Sequence, residues 1–124
     1  MRIGVTGASG MLGTALVAHL SKLHKVFATS RSKGIEGKNV MWNCLDLTNA
    51  KTLNNWLVKI QPDLIIHCAA IVNIDFCENN IDLATKLHIN TTEIIAKYLD
   101  STDGKLIYIS TDSVFDGNKS RPYK

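Results

Sequence analysis

The chain has 124 residues, a length that fits one ordinary domain with one buried core. Apolar residues make up 45% of it and charged residues 20%, which is typical of soluble globular proteins and argues against a disordered tail. Its 14 basic and 11 acidic residues leave a net charge of +3, which is too small and too dispersed to predict a nucleic-acid surface. No apolar run approaches the roughly 18 residues of a membrane span and no signal peptide is recognisable, so we expect a cytoplasmic protein without membrane contact.

The first part of the chain alternates short apolar runs with helical spacing. Residues 3–5 predict a strand, and leucines recurring at near-helical intervals over residues 12–23 predict a helix. Residues 25–29 (KVFAT) predict a second strand, which is followed by a polar loop with glycines over residues 31–38. Residues 40–45 (VMWNCL) predict a third strand.

The second part repeats this alternation. Apolar residues at helical spacing over residues 53–60 predict a helix that Pro62 closes. Residues 63–68 (DLIIHC) form a near-continuous apolar run, as expected for a strand that is buried on both faces of a parallel sheet. Residues 81–99 show helical spacing, and residues 106–109 predict a fifth strand.

Strands that alternate with helices predict an α/β protein. The expected architecture is a Rossmann-type doubly wound parallel sheet with right-handed crossovers and strand order 3-2-1-4-5. Such a fold commonly has six or more strands, so we expect a sheet that is incomplete at the C-terminal end.

Three glycines lie between the first strand and the first helix. Gly7, Gly10 and Gly13 are spaced GxxGxxG, whereas the standard dinucleotide fingerprint is GxGxxG. Glycine at such a turn permits a tight bend and a close approach of backbone to phosphate, and the helix N-terminus attracts anions. We interpret the turn as a binding site for a dinucleotide pyrophosphate; a turn that serves packing alone is the alternative.

The end of the second strand bears on which dinucleotide binds. A carboxylate about 20 residues past the glycines would bond a ribose 2′-hydroxyl, whereas arginine suits a 2′-phosphate. The chain reads TSRSK here, and no acidic residue occurs before Glu36. We therefore predict NADPH, with NADH as the alternative cofactor, and expect Ser30 and Arg31 to hold the phosphate. An ordinary solvated basic loop is the other interpretation of these residues.

The cysteines and histidines give no indication of a metal site. Cys44, Cys68 and Cys77 lack the spacing of metal ligands, and we interpret the first two as buried strand residues and the third as a loop thiol. His67 lies in an apolar run, which favours a hydrogen-bonded interior histidine over a catalytic base. We predict no metal site.

Several motifs carry a family resemblance over nearly the whole chain. The stretches TGASGMLG, DLTN, DLIIHCAA, HINT and ISTDSVFDG resemble the extended short-chain dehydrogenase/reductase superfamily. Within it, STDSVFDGNKSRPY is similar to the STDYVFDG block and following proline-tyrosine pair of the dTDP-4-dehydrorhamnose reductases. The glycine motif is shared by the superfamily, so the second block carries most of this assignment.

The resemblance implies cofactor contacts in three places. Those along the pyrophosphate would come from Gly7, Ser9, Gly10, Met11, Leu12 and Gly13. Asp46 and Leu47 would flank the adenine, and Ala69 and Ala70 would lie along the nicotinamide ribose.

The resemblance also implies one catalytic residue, Thr111, which would hydrogen-bond the carbonyl oxygen being reduced. The superfamily's proton donor is a tyrosine with a lysine four residues later. The residues four after Tyr98 and Tyr108 are threonine and aspartate, and Tyr123 is followed only by Lys124. We therefore expect residues 1–124 to form a dinucleotide-binding domain truncated before the YxxxK segment and the substrate domain, and to be inactive alone.

Three functions follow as hypotheses. The first is NADPH-dependent reduction of a nucleotide-linked 4-keto sugar, with this chain supplying the cofactor-binding part. The second is a sugar-nucleotide epimerase or dehydratase of the same superfamily, which Ser113 keeps open because the reductases commonly have tyrosine there. The third is a non-catalytic dinucleotide-binding regulatory subunit, and this hypothesis gains support if Lys124 is the natural end of the chain. A nucleotide sugar is the expected partner, nucleic acid is not, and a homodimer is left open.

Overall fold

The computed structural model describes residues 1–123 and contains a five-stranded parallel sheet in the order β3-β2-β1-β4-β5. The predicted α/β class and strand order are confirmed. Lys124 lies outside the described residues. The strands are β1 (Arg2–Thr6), β2 (Lys25–Ser30), β3 (Val40–Cys44), β4 (Leu64–His67) and β5 (Lys105–Tyr108).

Helices connect the strands on both faces of the sheet. The helices are α1 (Met11–Leu20), α2 (Ala50–Ile60), α3 (Ile74–Asn79), α4 (Ile81–Thr85) and α5 (Thr91–Asp100), with a π-helical turn at Lys86–Asn90 and a 3-10 turn at Asp112–Val114. Within residues 1–123, none of these helices combines the length and the apolar character that a bilayer crossing requires.

Alternate strand residues supply two cores. Val26 and Ile66 pack with Val17 of α1 on one face of the sheet. The neighbouring Phe27 and Ile65 face the other way and pack with the apolar residues of α2 and α5. Fully buried aliphatic side chains of this kind each contribute about 1.5–3 kcal/mol, so the near-continuous apolar strands need both helical layers.

Local side chains fix both ends of α2. The Asn49 side chain accepts a hydrogen bond from the Thr52 backbone N–H at 3.2 Å, as expected of an N-cap. At the other end Gln61 has φ 42°, the left-handed conformation that ends helices, and Pro62 follows it. The predicted end of this helix is confirmed.

The helices differ from the sequence expectation in two places. α1 ends at Leu20, so Leu23 lies outside the helix and is 84% exposed. The helix expected over residues 81–99 is interrupted at the π-helical turn, where the Thr91 hydroxyl donates to the Lys86 carbonyl at 2.9 Å.

The cysteines also differ from the expectation. Cys44 is exposed at the end of the edge strand β3, and Cys68 is half-buried, so the prediction that both are buried is wrong. Cys77 lies in α3 rather than in a loop, and its thiol donates to the Ile71 carbonyl at 3.6 Å.

β5 is the other edge of the sheet. Its residues Ile107 and Tyr108 are 47% and 45% exposed, and Ile109 after it is 41% exposed. The described residues pair no further strand with it, as the sequence led us to expect. An edge of this kind leaves backbone donors and acceptors open to another strand.

Candidate functional site

The turn between β1 and α1 packs three glycines against backbone. Gly7 has φ +62°, and a Cβ there would lie 2.7–2.8 Å from backbone atoms of Cys68 and Ala69, which follow β4. A Cβ at Gly13 would overlap the Gly7 carbonyl oxygen and lie 2.7 Å from the Ala8 Cα. Side chains at these two positions would therefore push the helix and β4 away from the turn.

The N-terminus of α1 is free of protein anions. Gly10 is the N-cap, so no side chain caps the helix, and its first turn contains no acidic residue. The Gly10 N–H donates to the Gly7 carbonyl at 2.9 Å, which closes the turn just before the helix. The following backbone N–H groups and the helix dipole favour an anion at this point.

A cleft of about 450 Å³ begins at this turn and runs along the carboxyl ends of the central strands. It has the size of a small-molecule site and the position at which open parallel sheets bind ligands. Among the predicted contacts, those in its lining are Gly7, Ser9, Gly10, Ser30, Arg31, Asp46, Leu47, Ala69 and Ala70.

Four of the predicted residues are not in this lining. Met11 and Leu12 are 94% and 42% exposed on the first turn of α1, and Gly13 is buried where α1 meets the turn. Thr111 is exposed and caps the 3-10 turn, where its hydroxyl accepts from the Ser113 N–H and donates to Asp112, each at 3.2 Å.

The loop after β2 is held by an indole ring. The Ser30 hydroxyl donates to the Ser32 carbonyl at 2.6 Å and accepts from the Trp42 Nε1–H at 3.2 Å. The same Nε1–H lies 3.1 Å from the Ser32 carbonyl, and the indole ring packs against Gly34. Arg31 is exposed and lines the cleft between these anchored residues. Its backbone is therefore fixed while its guanidinium is free to meet a ligand.

The loop between β3 and α2 forms the opposite wall of this end of the cleft. The Asp46 carboxylate accepts from the Thr48 backbone N–H at 3.0 Å and its hydroxyl at 2.7 Å. Leu47 is 6% exposed, and its carbonyl accepts from the buried Thr91 hydroxyl at 2.9 Å. Asp46 therefore shapes its own loop, and Leu47 offers an apolar surface.

His67 is an interior residue, 1% exposed, at the end of β4. The Thr6 hydroxyl accepts from the Ala69 N–H at 3.3 Å and shares a hydrogen bond with the His67 Nδ1 at 2.6 Å. Nε2 is buried without a partner among the described residues. Burial, with a smaller contribution from His88, lowers the pKa of His67 to about 4.

This pKa predicts a pH dependence of stability. The unfolded chain binds a proton at His67 near pH 6.5, whereas the folded chain does so only near pH 4. The free energy of unfolding is therefore highest above pH 6.5. It falls by about 3 kcal/mol as the pH is lowered from 6.5 to about 4, because only the unfolded chain takes up the proton. Urea denaturation at pH 7 and pH 4.5 measures it. His67→Gln should lose this dependence, and His19→Gln, which alters an exposed histidine, should keep it.

One wall of the cleft contains residues that were not among the predicted contacts. Three apolar residues line it there: Ile71, Leu83 and Leu87. The His88 Nε2 accepts from the Ile71 N–H at 3.2 Å and fixes the chain leaving β4. The leucines are four residues apart, so they could have been recognised as one helical face.

Across residues 1–123 no group of three or more His, Cys, Asp or Glu side chains is arranged to hold a metal ion.

Known proteins resemble the chain over its full length. It is 32% identical to the methionine adenosyltransferase 2 subunit beta of Pongo abelii over 99% of this chain and 36% of that protein. A solved structure of a hypothetical dTDP-4-dehydrorhamnose reductase from Sulfolobus tokodaii superimposes with a TM-score of 0.89 at 38% identity, covering 100% of this chain and 44% of that one. The dTDP-4-dehydrorhamnose reductase of Bacillus anthracis, solved in complex with NADP, gives 0.79 at 31% identity, with coverages of 96% and 39%.

The chain thus spans less than half the length of these proteins. The family described as the RmlD substrate binding domain matches residues 1–124. These matches confirm the resemblance that the glycine turn and the STDSVFDG block indicated. The chain therefore belongs to the RmlD substrate binding domain family, together with dTDP-4-dehydrorhamnose reductases.

Proposed function

We propose that this chain binds NADPH and supplies the cofactor-binding part of a reductase that acts on a nucleotide-linked 4-keto sugar. The observation that carries the proposal is the glycine turn at the N-terminus of α1, which opens into the cleft without any protein side chain as a cap. The relative from Bacillus anthracis, solved with NADP, supports the same cofactor class.

The residues of the cleft fit the parts of such a cofactor. The pyrophosphate would lie at the α1 N-terminus beside Ser9 and Gly10, facing the backbone N–H groups of the first turn of the helix. Arg31 would hold the 2′-phosphate, and Leu47 would contact the adenine. Ser30 lines the same end of the cleft, but it donates its single hydroxyl proton to the Ser32 carbonyl, so it would fix the loop rather than bond the phosphate. Ala69 and Ala70 would leave room for the nicotinamide ribose at the end of β4. When bound, the cofactor supplies a hydride.

The reaction needs groups that these cleft residues do not contain. Thr111 would hydrogen-bond the substrate carbonyl oxygen once the segment around the 3-10 turn borders the substrate. Neither Tyr98 nor Tyr108 has a lysine four residues later, so we expect the tuned proton donor to come from a further part of the protein. Residues 1–124 would thus be a dinucleotide-binding domain within a longer reductase.

Cofactor titration and a turnover assay of the 124-residue chain test whether this chain binds the cofactor and whether catalysis needs a further part of the protein. We expect NADPH to bind, seen as a change in its fluorescence, and we expect no turnover of dTDP-4-dehydrorhamnose because the proton donor is missing. Absence of NADPH binding would refute the proposed site. Rapid turnover would refute the claim that another part of the protein is needed.

The relation to methionine adenosyltransferase 2 subunit beta favours a second candidate, a dinucleotide-binding regulatory subunit. Both candidates use the same glycine turn, so cofactor binding does not separate them. Co-purification of the chain with a methionine adenosyltransferase, together with the absence of reductase activity in the complete protein, would select the second candidate.

The indole of Trp42 leads to a prediction about cofactor choice. Trp42→Phe keeps an aromatic ring against Gly34 but removes the N–H that bonds Ser30 and Ser32. The loop carrying Arg31 would lose about 1 kcal/mol of ordering, so NADPH should bind about fivefold more weakly and NADH should bind almost unchanged. Fluorescence titration with both cofactors measures this.

A matched control is Trp56→Phe. The Trp56 indole N–H bonds Asn43 instead, on the other face of the sheet, so this variant should bind both cofactors as the parent chain does. Equal weakening of NADPH and NADH by Trp42→Phe would mean that the indole serves stability alone.

A further inference from the structure

A second cavity, of about 370 Å³, lies at the other end of the sheet from the glycine turn. It is formed where β1, β2 and β3 begin and where α2 ends. The cavity shares no residue with the cleft and belongs to neither candidate function. Its volume is near the lower limit of small-molecule sites, which commonly run from about 300 to 1,000 Å³.

The charged residues that line this cavity are all basic. Arg2, Lys25, Lys38 and Lys59 contribute to it, and no carboxylate does. None of the four takes part in an ion pair within the described part of the chain. The nearby Asp63 carboxylate already accepts the Arg2 backbone N–H at 2.7 Å. The cavity therefore concentrates positive charge that a bound anion would neutralise.

The Arg2 side chain is held in place before any ligand arrives. Its Nε–H donates to the carbonyl oxygens of Ile60 and Gln61, at 2.7 and 3.1 Å, at the end of α2. Its guanidinium carbon lies 5.0 Å from the centroid of the Phe27 ring. These contacts fix the plane of the guanidinium and use only Nε, so the two Nη groups keep their donors for a ligand.

A second fixed donor lies in the same lining. The Asn43 Oδ1 accepts the Trp56 indole N–H at 3.2 Å, which orients the amide and leaves its Nδ2 donors unused. The remaining wall is apolar and includes Phe27 and the half-exposed Met41. The cavity thus combines fixed donors, mobile ammonium groups and an apolar surface.

We propose that this cavity binds a small organic phosphate monoester. Arg2 and the three lysines would contact the phosphate dianion, and the apolar part of the ester would lie against Met41 and Phe27. A phosphate is favoured over a single carboxylate because a dianion neutralises several cations at once.

Amide chemical shifts of the 124-residue chain, titrated with 1-naphthyl phosphate, test the proposal. The affinity is taken from the amides of Val26, Met41 and Asn43 alone, which separates it from anion binding at the glycine turn. We expect saturable shifts at millimolar concentration or below. The neutral 1-naphthol should bind at least about tenfold more weakly, because it lacks the phosphate that the basic residues would contact. Inorganic phosphate should also bind at least about tenfold more weakly, because it lacks the apolar ring.

Charge-matched variants complete the test. A triple variant that removes three exposed cations from the lining should weaken the binding of 1-naphthyl phosphate about tenfold or more. Its substitutions are Lys25→Gln, Lys38→Gln and Lys59→Gln. Lys51→Gln/Lys86→Gln/Lys105→Gln, which removes three exposed lysines outside the cavity, should change the affinity less than about twofold. Equal effects of the two triple variants, equal binding of 1-naphthol, or no localised shifts would overturn the proposal.

Discussion

Replacing Gly7 with alanine is expected to lower the free energy of unfolding by about 2–5 kcal/mol and to abolish measurable dinucleotide binding. Two costs add. The backbone at Gly7 has φ +62°, which costs an L-residue about 1–2 kcal/mol. The new Cβ would also lie 2.7–2.8 Å from backbone atoms of Cys68 and Ala69, and overpacking of this kind costs about 1–3 kcal/mol.

The same overlap explains the expected loss of binding. Relief of the contact requires the turn and the end of β4 to separate, and both border the cleft. The N–H groups at the start of α1 would then no longer face the pyrophosphate of a cofactor whose nicotinamide ribose lies along Ala69 and Ala70. Urea denaturation measures the stability, and titration with NADPH measures the binding.

Gly37→Ala is the matched control. Nothing lies within 4 Å of the position of its Cβ and its φ is not positive, so this variant should keep both stability and binding. If Gly7→Ala bound NADPH as the parent chain does, the turn would not be the pyrophosphate site. If Gly37→Ala were equally damaging, the effect would be a general one of glycine replacement.

Replacing Arg31 with aspartate is expected to reverse the cofactor preference. The change removes a charge-assisted hydrogen bond to the 2′-phosphate, worth about 1.5–3 kcal/mol, so NADPH should bind about 10-fold to 100-fold more weakly. It also places a carboxylate where a ribose 2′-hydroxyl would lie, which favours NADH. Trp42 holds this loop through Ser30 and Ser32, so the replacement should not alter the fold.

Lys33→Asp makes the same change of charge two residues further along the loop. Because Lys33 does not line the cleft, it should weaken NADPH binding only slightly. Equal losses for the two variants would mean that the general charge of the loop, and not Arg31, attracts the phosphate. Unchanged NADPH binding in Arg31→Asp would refute the assignment of the 2′-phosphate contact.

The sequence predicts the order of strands in the sheet well, because strands that are apolar on both faces can be placed in only a few positions. A run such as residues 63–68 is apolar on both faces, and right-handed crossovers then restrict the order of the strands. The glycine turn was also predictable from the sequence. Only glycine fits at Gly7 against the backbone that follows β4, so the close packing of the turn is visible in the sequence as glycine residues.

The helix α3 was not predictable in the same way. α3 has six residues and none of them is buried, so it shows no apolar period. Its local signal is the Asn73 side chain, which accepts from the Phe76 N–H at 2.7 Å. The catalytic role of Thr111 is predicted from the family resemblance alone, because it would depend on groups outside the cleft.

The buried hydroxyl of Thr91 has a consequence for how ligands enter. Its single proton is shared between the carbonyl oxygens of Leu47, in the lining of the cleft, and of Lys86, in the π-helical turn, at 2.9 Å each. This bond ties the loop after β3 to α5, which packs against β4, and so restrains outward movement of the loop. A ligand that binds at this end of the cleft would therefore lose little free energy to ordering of this loop.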